Sequence, residues 1–154
     1  MKKIITILLL TAICTKAMAE EPVRVHCVGE GTRSYKNLGS KDEWSERYYE
    51  FYQDSMTEKK NSYTSKFSKE EITQESVNNS GVYKVNPTNI FMMRNHKIIG
   101  NTGKLITEQY IQISIDRQTG KWDFMLTDSG KLGLPAVTIL VHGICEPWNP
   151  ENKF

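Results

Sequence analysis

The stretch EQYIQISIDRQTGKWDFMLT, residues 108–127, decides the fold class of this chain. Apolar residues occupy every second position in both of its arms: Ile111, Ile113, Ile115, Trp122, Phe124 and Leu126. This period of two is typical of a β-strand with one buried and one solvated face. Between the arms, Gly120 supplies the positive φ that short hairpin loops commonly need, and Asp116 can accept hydrogen bonds from the amides of the turn. The stretch therefore predicts a β-hairpin.

Other runs along the chain also predict short strands. PVRVHCVG, residues 22–29, has an alternating pattern, and AVTILVHGIC, residues 136–145, is rich in β-branched residues, as expected of a central or closing strand. GVYKVN and NIFMMRN are separated by Pro87, which has no N–H to donate to a ladder. Roughly seven or eight short strands separated by turn signals predict a mainly β protein, either a small antiparallel β-barrel or a β-sandwich.

Two cysteines lie beyond residue 19, Cys27 and Cys145. In an exported protein such a pair predicts a disulfide, with free thiols or an intermolecular bridge as the alternatives. The bond would join the two ends of the domain and help to close the sheet, which protects its edges. In architecture alone, this layout resembles the small lipocalin-like barrels of bacterial envelopes. The G-x-W opening of true lipocalins is absent, so no family is assigned.

Residues 1–19 have the pattern of a signal peptide. A short basic start precedes an apolar run that is too short to span a bilayer, and Ala17 to Ala19 offers small residues for cleavage. A lipidated Cys14 is the alternative, but Ile13 stands where lipoprotein processing requires a small residue. We expect cleavage near Ala19, a single β-rich domain over residues 20–154, no membrane span, and a periplasmic or secreted location in a bacterium.

Removal of the leader changes the charge balance of the chain. The full chain has 20 Lys and Arg against 18 Asp and Glu, and the leader takes three lysines and no acid with it, which leaves 17 against 18. Nucleic acids and anionic membranes attract proteins with a clear basic excess. The near-neutral mature chain therefore argues against both partners.

The aromatic segment WSERYYEFYQDSM, residues 44–56, fits two structures. Ser40 and Glu43 spell a helix capping box ahead of it, and the aromatic residues fall on helical spacing. Yet Tyr and Phe favour strands, in which Tyr48 and Tyr52 would face outward while Tyr49 and Phe51 face the core. We favour a strand and keep a helix as the alternative.

The stretch from Met56 to Ser80 is the most polar part of the chain. We expect it to hold exposed hairpin ends and long loops. Ser68 and Glu71 spell a second capping box, which indicates one helical turn.

The three histidines, His26, His96 and His142, show no spacing typical of metal ligands. If Cys27 lies opposite Cys145 in an antiparallel pair, His26 and His142 are four positions apart along the sheet, about 13 Å. That distance is too long for one metal ion. We predict no metal site.

Motifs for catalysis and for cofactor binding are weak. Ser129 lies in an Asp-Ser-Gly sequence that also occurs in serine proteases, but Lys131 replaces the next glycine, and a turn explains these residue types. No Gly-Lys pair is followed by Ser or Thr, so no phosphate-binding loop is spelled. The carboxylates of residues 42–50 have cationic neighbours and are expected on a solvated face. We predict a protein that is not an enzyme and has no cofactor.

The aromatic residues supply the only candidate binding surface. Tyr48 and Tyr52 would offer contact area at low entropy cost, and Arg117 and Lys121 flank the hairpin tip. The leading hypothesis is a non-enzymatic periplasmic module that binds another envelope or secreted protein, as an inhibitor, immunity factor or accessory protein. The alternative is a carrier whose barrel holds a small apolar molecule. Ordinary cross-strand packing is the simplest account of the same tyrosines.

Overall fold

The computed structural model describes residues 22–60, 63–69, 72–73, 77, 81–131 and 133–149. The described part of the chain is nearly all strand: β1 (Val23–Tyr35), β2 (Gly39–Phe51), β3 (Ser55–Lys60), β4 (Tyr63–Lys69), β5 (Val82–Val85), β6 (Asn89–Ile99), β7 (Leu105–Asp116), β8 (Lys121–Asp128) and β9 (Val137–Pro147). It contains no helix long and apolar enough to cross a bilayer. The predicted leader and its cleavage site lie outside the described residues.

The strands form one closed barrel in chain order, with β1 paired to β9. All pairings are antiparallel except that of β4 with β5, which is parallel and joins only Ser68 to Val82 and Lys69 to Tyr83. The predicted barrel is confirmed, and a sandwich is excluded. The expected number of strands was too low, because β3 and β4 come largely from a stretch in which we expected only exposed hairpin ends and long loops.

The closing ladder between β1 and β9 contains the disulfide. Cys27 lies opposite Cys145 in this ladder, and the two sulfurs are bonded, as predicted. Glycine is required beside the bond, since a Cβ added to Gly31 would overlap the carbonyl of Leu140, and one added to Gly143 would overlap that of Val28. Only glycine lets the two strands come this close.

The core lies inside the barrel and follows the predicted alternation. Its fully or almost fully buried members include Tyr49, Met56, Phe67, Tyr83, Met92, Ile113, Ile115, Trp122, Phe124 and Val141. The β7–β8 hairpin also has the predicted turn. Gly120 has a φ of 71°, and the amides of Gln118 and Thr119 donate to Asp116 Oδ1 over 2.9 and 2.8 Å. The side chain of Asp116 therefore organises this turn.

The helix alternative for residues 44–56 is wrong, because residues 39–51 form strand β2 and Tyr49 is fully buried. The expectation of exposed loops from Met56 onward is also wrong for the β3–β4 hairpin, which buries Met56 and Phe67 inside the barrel. The inward and outward side chains of this hairpin do alternate with a period of two. The alternation is hard to recognise in the sequence, because Lys, Glu and Ser occupy most of the remaining positions. Ser68 lies within β4 and begins no helix, and Glu71 lies outside the described residues.

Replacing both cysteines by serine should lower the free energy of unfolding by about 2–5 kcal/mol, because the bond closes a long loop of the unfolded chain. The two residues are 118 positions apart in the sequence. Urea denaturation followed by circular dichroism measures the change, and the wild-type protein in reductant should reproduce it. A double variant as stable as the oxidised wild type would contradict this role of the bond.

Candidate functional site

The barrel interior has an apolar and a polar region. Inward positions of β1, β2, β3, β4 and β6 carry a group of polar side chains that we call the polar interior: Arg33, Glu43, Ser45, Arg47, Glu58, Lys60, Ser65 and Arg94. Further along the same strands, the inward positions carry apolar residues such as Phe51 and Met56. A small barrel is usually filled by apolar side chains, so the polar interior is the first feature that calls for a functional explanation.

A buried ion pair lies at the centre of the polar interior. Arg47 Nη1 is 2.5 Å from Glu58 Oε1, and the two side chains are only 8% and 1% exposed. The guanidinium also lies over the ring of Phe124, with its Cζ 3.8 Å from the ring centroid. Taking two charges out of water costs several kcal/mol, which only close contacts of this kind offset.

Polar contacts continue from this pair across the interior. Ser65 lies opposite Glu58 in the β3–β4 ladder, and Arg94 Nη1 donates to Ser65 Oγ over 2.9 Å. On the other side, the guanidinium of Arg33 makes two hydrogen bonds to the carboxylate of Glu43, of 2.9 and 2.8 Å. Two guanidinium–carboxylate pairs and one guanidinium–hydroxyl contact thus occupy one side of the barrel.

A second cluster lies on the outer wall beside the disulfide. Glu46 Oε1 is 2.7 Å from both His26 Nε2 and the hydroxyl of Tyr48. The rings of His26 and Tyr48 stack at 4.5 Å with an interplanar angle of 7°, and the ring of Trp148 lies 4.8 Å from that of Tyr48. The amide of Trp148 donates to the carbonyl of Arg24 over 3.0 Å, which holds the chain after β9 against β1.

The outer face of β1, β2, β8 and β9, which we call the acidic wall, combines apolar and acidic side chains. Trp44, Leu140 and Ile144 are 59%, 41% and 48% exposed there. The carboxylates on the same face are Glu30, Asp42, Glu46, Glu50, Asp123 and Glu146. A groove of about 470 Å³ lies beside Trp44, with Glu30 and Asp42 in its lining. The wall is thus an acidic surface with exposed apolar side chains in its middle.

Two of the four residues predicted to bind a partner lie on the acidic wall. Tyr48 belongs to the outer cluster, on β2. Lys121, on β8, is exposed and lies opposite Ile144 of β9. Three strand spacings, about 14 Å, separate β2 from β8 across this face.

The other two predicted residues lie away from its centre. Tyr52 follows the end of β2, is 42% exposed, and its hydroxyl donates to Glu50 Oε2 over 3.1 Å. Arg117 Nη1 donates to the carbonyls of Asn86 and Pro87 over 3.0 and 3.4 Å. Arg117 therefore holds the β7–β8 turn against the β5–β6 turn, which is a structural contact.

The outer cluster brings together a histidine, a carboxylate and a hydroxyl, the residue types of an acid–base site. The hydrogen bond from Tyr48 keeps the pKa of Glu46 below its usual value, and the same contact raises the pKa of Tyr48. An activated nucleophile needs the opposite shift, towards easier ionisation. The contacts of Glu46 therefore favour fixing the two rings over activating Tyr48. Within the described ranges, no three His, Cys, Asp or Glu side chains gather as metal ligands would.

Sequence reasoning missed the polar interior. Arg47 was treated as a neighbour of surface carboxylates, and Glu58 and Arg94 were not considered. One signal was available: once Tyr49 is placed inside, the period of two also places Arg47 and Ser45 inside.

Replacing Glu58 by leucine should destabilise the fold by about 3–5 kcal/mol, because Arg47 would stay buried without its partner charge. The double variant Arg47→Met/Glu58→Leu leaves neither charge inside and should lose much less. Urea denaturation of both variants gives the comparison. Equal losses in the single and double variants would show that packing, and not the unpaired charge, sets the cost.

Acid should destabilise the protein through Glu43 and Glu46. The hydrogen bond from Arg33 lowers the pKa of Glu43, and that from Tyr48 lowers the pKa of Glu46, both from an ordinary value of 4.5. A carboxylate with a lowered folded-state pKa contributes stability above its unfolded pKa, and that contribution is lost as the pH falls through the folded value. We expect the melting temperature to fall below pH 4.5 and the fall to be smaller in Arg33→Gln. An identical acid profile for this variant would contradict the assignment to Glu43.

Three comparisons with known proteins bear on identity. No protein-family model, curated protein or solved structure matches the chain. The case for a function therefore rests on the contacts described above.

Proposed function

We propose that this protein is an exported, non-enzymatic binding module that holds a basic partner protein on its acidic wall. The observation that carries the proposal is the exposure of Trp44, Leu140 and Ile144 on one continuous sheet face among six carboxylates. The solvated face of a barrel wall normally alternates polar residues with the core positions. Large apolar side chains grouped on that face are typical of a contact surface.

The three apolar side chains lie close enough to form one patch. Leu140 and Ile144 lie on either side of His142 on β9. His142 is opposite Glu30 of β1, and Glu30 is opposite Trp44 of β2. Two strand spacings are about 10 Å, so one partner segment could cover the patch. Tryptophan at the centre of an interface, surrounded by polar residues, commonly supplies much of the binding energy.

The charge of the wall indicates the chemistry of the partner. The carboxylates of the wall outnumber its cationic side chains, Lys121 and Arg24. Arg24, at the edge of the wall, is already paired with Glu50 over 3.3 Å. Such a surface attracts a basic protein and speeds its association, and salt weakens this attraction.

The strands of the wall are also joined by fixed contacts. The stacked rings of His26 and Tyr48, on the wall itself, join β1 to β2, and the disulfide on the inner side joins β1 to β9. A preformed surface loses little conformational entropy on association, which favours affinity.

The carrier hypothesis has less support, because the inner wall is filled. Trp122, Phe124 and Ile113, which an apolar ligand inside the barrel would contact, are at most 2% exposed and belong to one packed core cluster. A cavity of about 250 Å³ beside β2 and β5 is lined partly by Phe51 and Tyr83. It is smaller than the roughly 300–1,000 Å³ typical of ligand pockets.

Site-specific photo-crosslinking tests the proposal. The oxidised chain without residues 1–19 carries a photoreactive residue at position 44 or, as the control, at position 99. Ile99 is 54% exposed at the end of β6, a strand that does not belong to the wall. We expect an envelope extract to yield one stoichiometric basic-protein adduct at position 44 only, with a yield that falls in high salt.

Variants of the wall should confirm the contact. Trp44→Ala and the double variant Glu30→Gln/Asp42→Asn should each weaken binding of the purified partner at least about tenfold, as expected for an interface centre. Ile99→Ala is the matched control and should bind normally. Equal adducts at positions 44 and 99, or an unchanged affinity of both wall variants, would overturn the proposal. A small molecule extracted from the protein without any protein adduct would favour the carrier.

A further inference from the structure

We propose that the polar interior is a binding site for a small oxyanion, a carboxylate or phosphate group, which Arg94 and Lys60 hold together with the free donors of Arg47 and Ser45. This inference does not depend on the acidic wall. It rests on three features of the interior: its charge balance, its unused donors and a route of entry.

The charges that face inward do not cancel. Arg33 is paired with Glu43 at 2.8 Å, and the carboxylate of Glu58 is taken up by Arg47. Arg94, in contrast, donates to the neutral hydroxyl of Ser65. These contacts leave the positive charge of Arg94 without a paired carboxylate in the described part of the chain.

One further inward carboxylate belongs to Asp128, on β8. It accepts hydrogen bonds from the neutral groups of Thr107 and Gln109 and from the amide of Gly130. These donors satisfy it without a cation. Asp128 therefore does not compensate the charge of Arg94.

Lys60 adds a second cation. Burial lowers the pKa of Lys60; the charges of Arg47 and Arg33 also lower it, while those of Glu43 and Glu58 raise it. Burial is the largest of these effects, and an anion placed beside the ammonium would offset its cost. The geometry and the electrostatics therefore indicate the same sign of ligand.

Two buried donors in this region make no hydrogen bond within the described residues: Ser45 Oγ and Arg47 Nε. Their residues are 2% and 7% exposed, and both atoms can donate a hydrogen. A buried donor without an acceptor costs about 1–3 kcal/mol. The group thus lacks acceptors, which an oxyanion supplies through several oxygens at once.

A weak seam in the barrel offers a route of entry. β5 pairs with β4 only at Ser68 and Lys69, and its pairing with β6 ends at Met93. In the described ladders, no rung therefore joins the first residues of β4 to the last residues of β6. The side-chain contact of Arg94 with Ser65 bridges this seam. An anion that enters here would first meet Arg94.

Fluorescence of Trp122 gives a direct test. The chain has three tryptophans, so Trp44→Phe/Trp148→Phe leaves Trp122 as the only reporter. Sodium phosphate and sodium acetate are titrated at neutral pH, with sodium chloride keeping the ionic strength constant. We expect a saturable change in Trp122 emission and a rise in the melting temperature of the wild-type protein. A response to phosphate alone assigns a phosphate group, and a response to acetate assigns a carboxylate.

Charge-matched variants identify the site. Lys60→Gln and Arg94→Gln should each raise the dissociation constant at least about tenfold, the usual effect of losing one charged hydrogen bond. Lys66→Gln and Lys97→Gln remove a cation from exposed positions of β4 and β6 and should leave it unchanged. Melting temperatures without anion show that each variant is folded.

Two results would overturn the proposal. The first is the absence of a saturable response to either anion, in which case buried water satisfies the free donors of Ser45 and Arg47. The second is equal weakening by Lys60→Gln and Lys66→Gln, which would reduce the effect to general charge attraction. Neither result would contradict the proposed role of the acidic wall, because that role is tested on a different face of the barrel and with a different partner.

Discussion

The pairing of β1 with β9 is the interaction on which the rest of this structure depends. It removes the two edges that an open sheet would leave, and Cys27 and Cys145 lock it from the inner side. Closure is also what keeps water away from Arg47 and Glu58, because an open sheet would expose both charges on its inner face. The acidic wall depends on the same ladder, since Glu30 and His142 are neighbours only where the first and last strands meet.

Much of this frame was predictable, because uninterrupted periods of two can be recognised without knowing the partner strand. The β7–β8 hairpin and the cysteine pair follow from such local signals. The β3–β4 hairpin did not, since Met56 and Phe67 stand in stretches whose composition is typical of loops. The polar interior was missed for a related reason. The sequence alone does not show whether an arginine in a strand faces inward or outward; Arg47 can be assigned to the inner face only once Tyr49 is known to be buried.

Strand β2 connects the two candidate sites. Its outward residues, Trp44, Glu46 and Tyr48, contribute to the acidic wall, and its inward residues, Ser45, Arg47 and Tyr49, line the polar interior. The strict alternation of a strand allows one segment to serve both faces. The dense aromatic and charged composition of residues 44–49 therefore has a structural explanation: the outer positions suit contact with a protein, and the inner ones suit contact with a polar group.

The polar interior does not explain the stability of the barrel. Replacing a buried ion pair by apolar side chains is often neutral or stabilising, and each unsatisfied donor costs about 1–3 kcal/mol. Arg47, Glu58 and the free donors beside them therefore do not account for the stability of the barrel. That stability comes from the apolar core around Trp122 and Phe124 and from the disulfide. Polar groups held inside at a net cost are typical of binding sites, because a site arranged in advance for its ligand is rarely the most stable packing of the free protein.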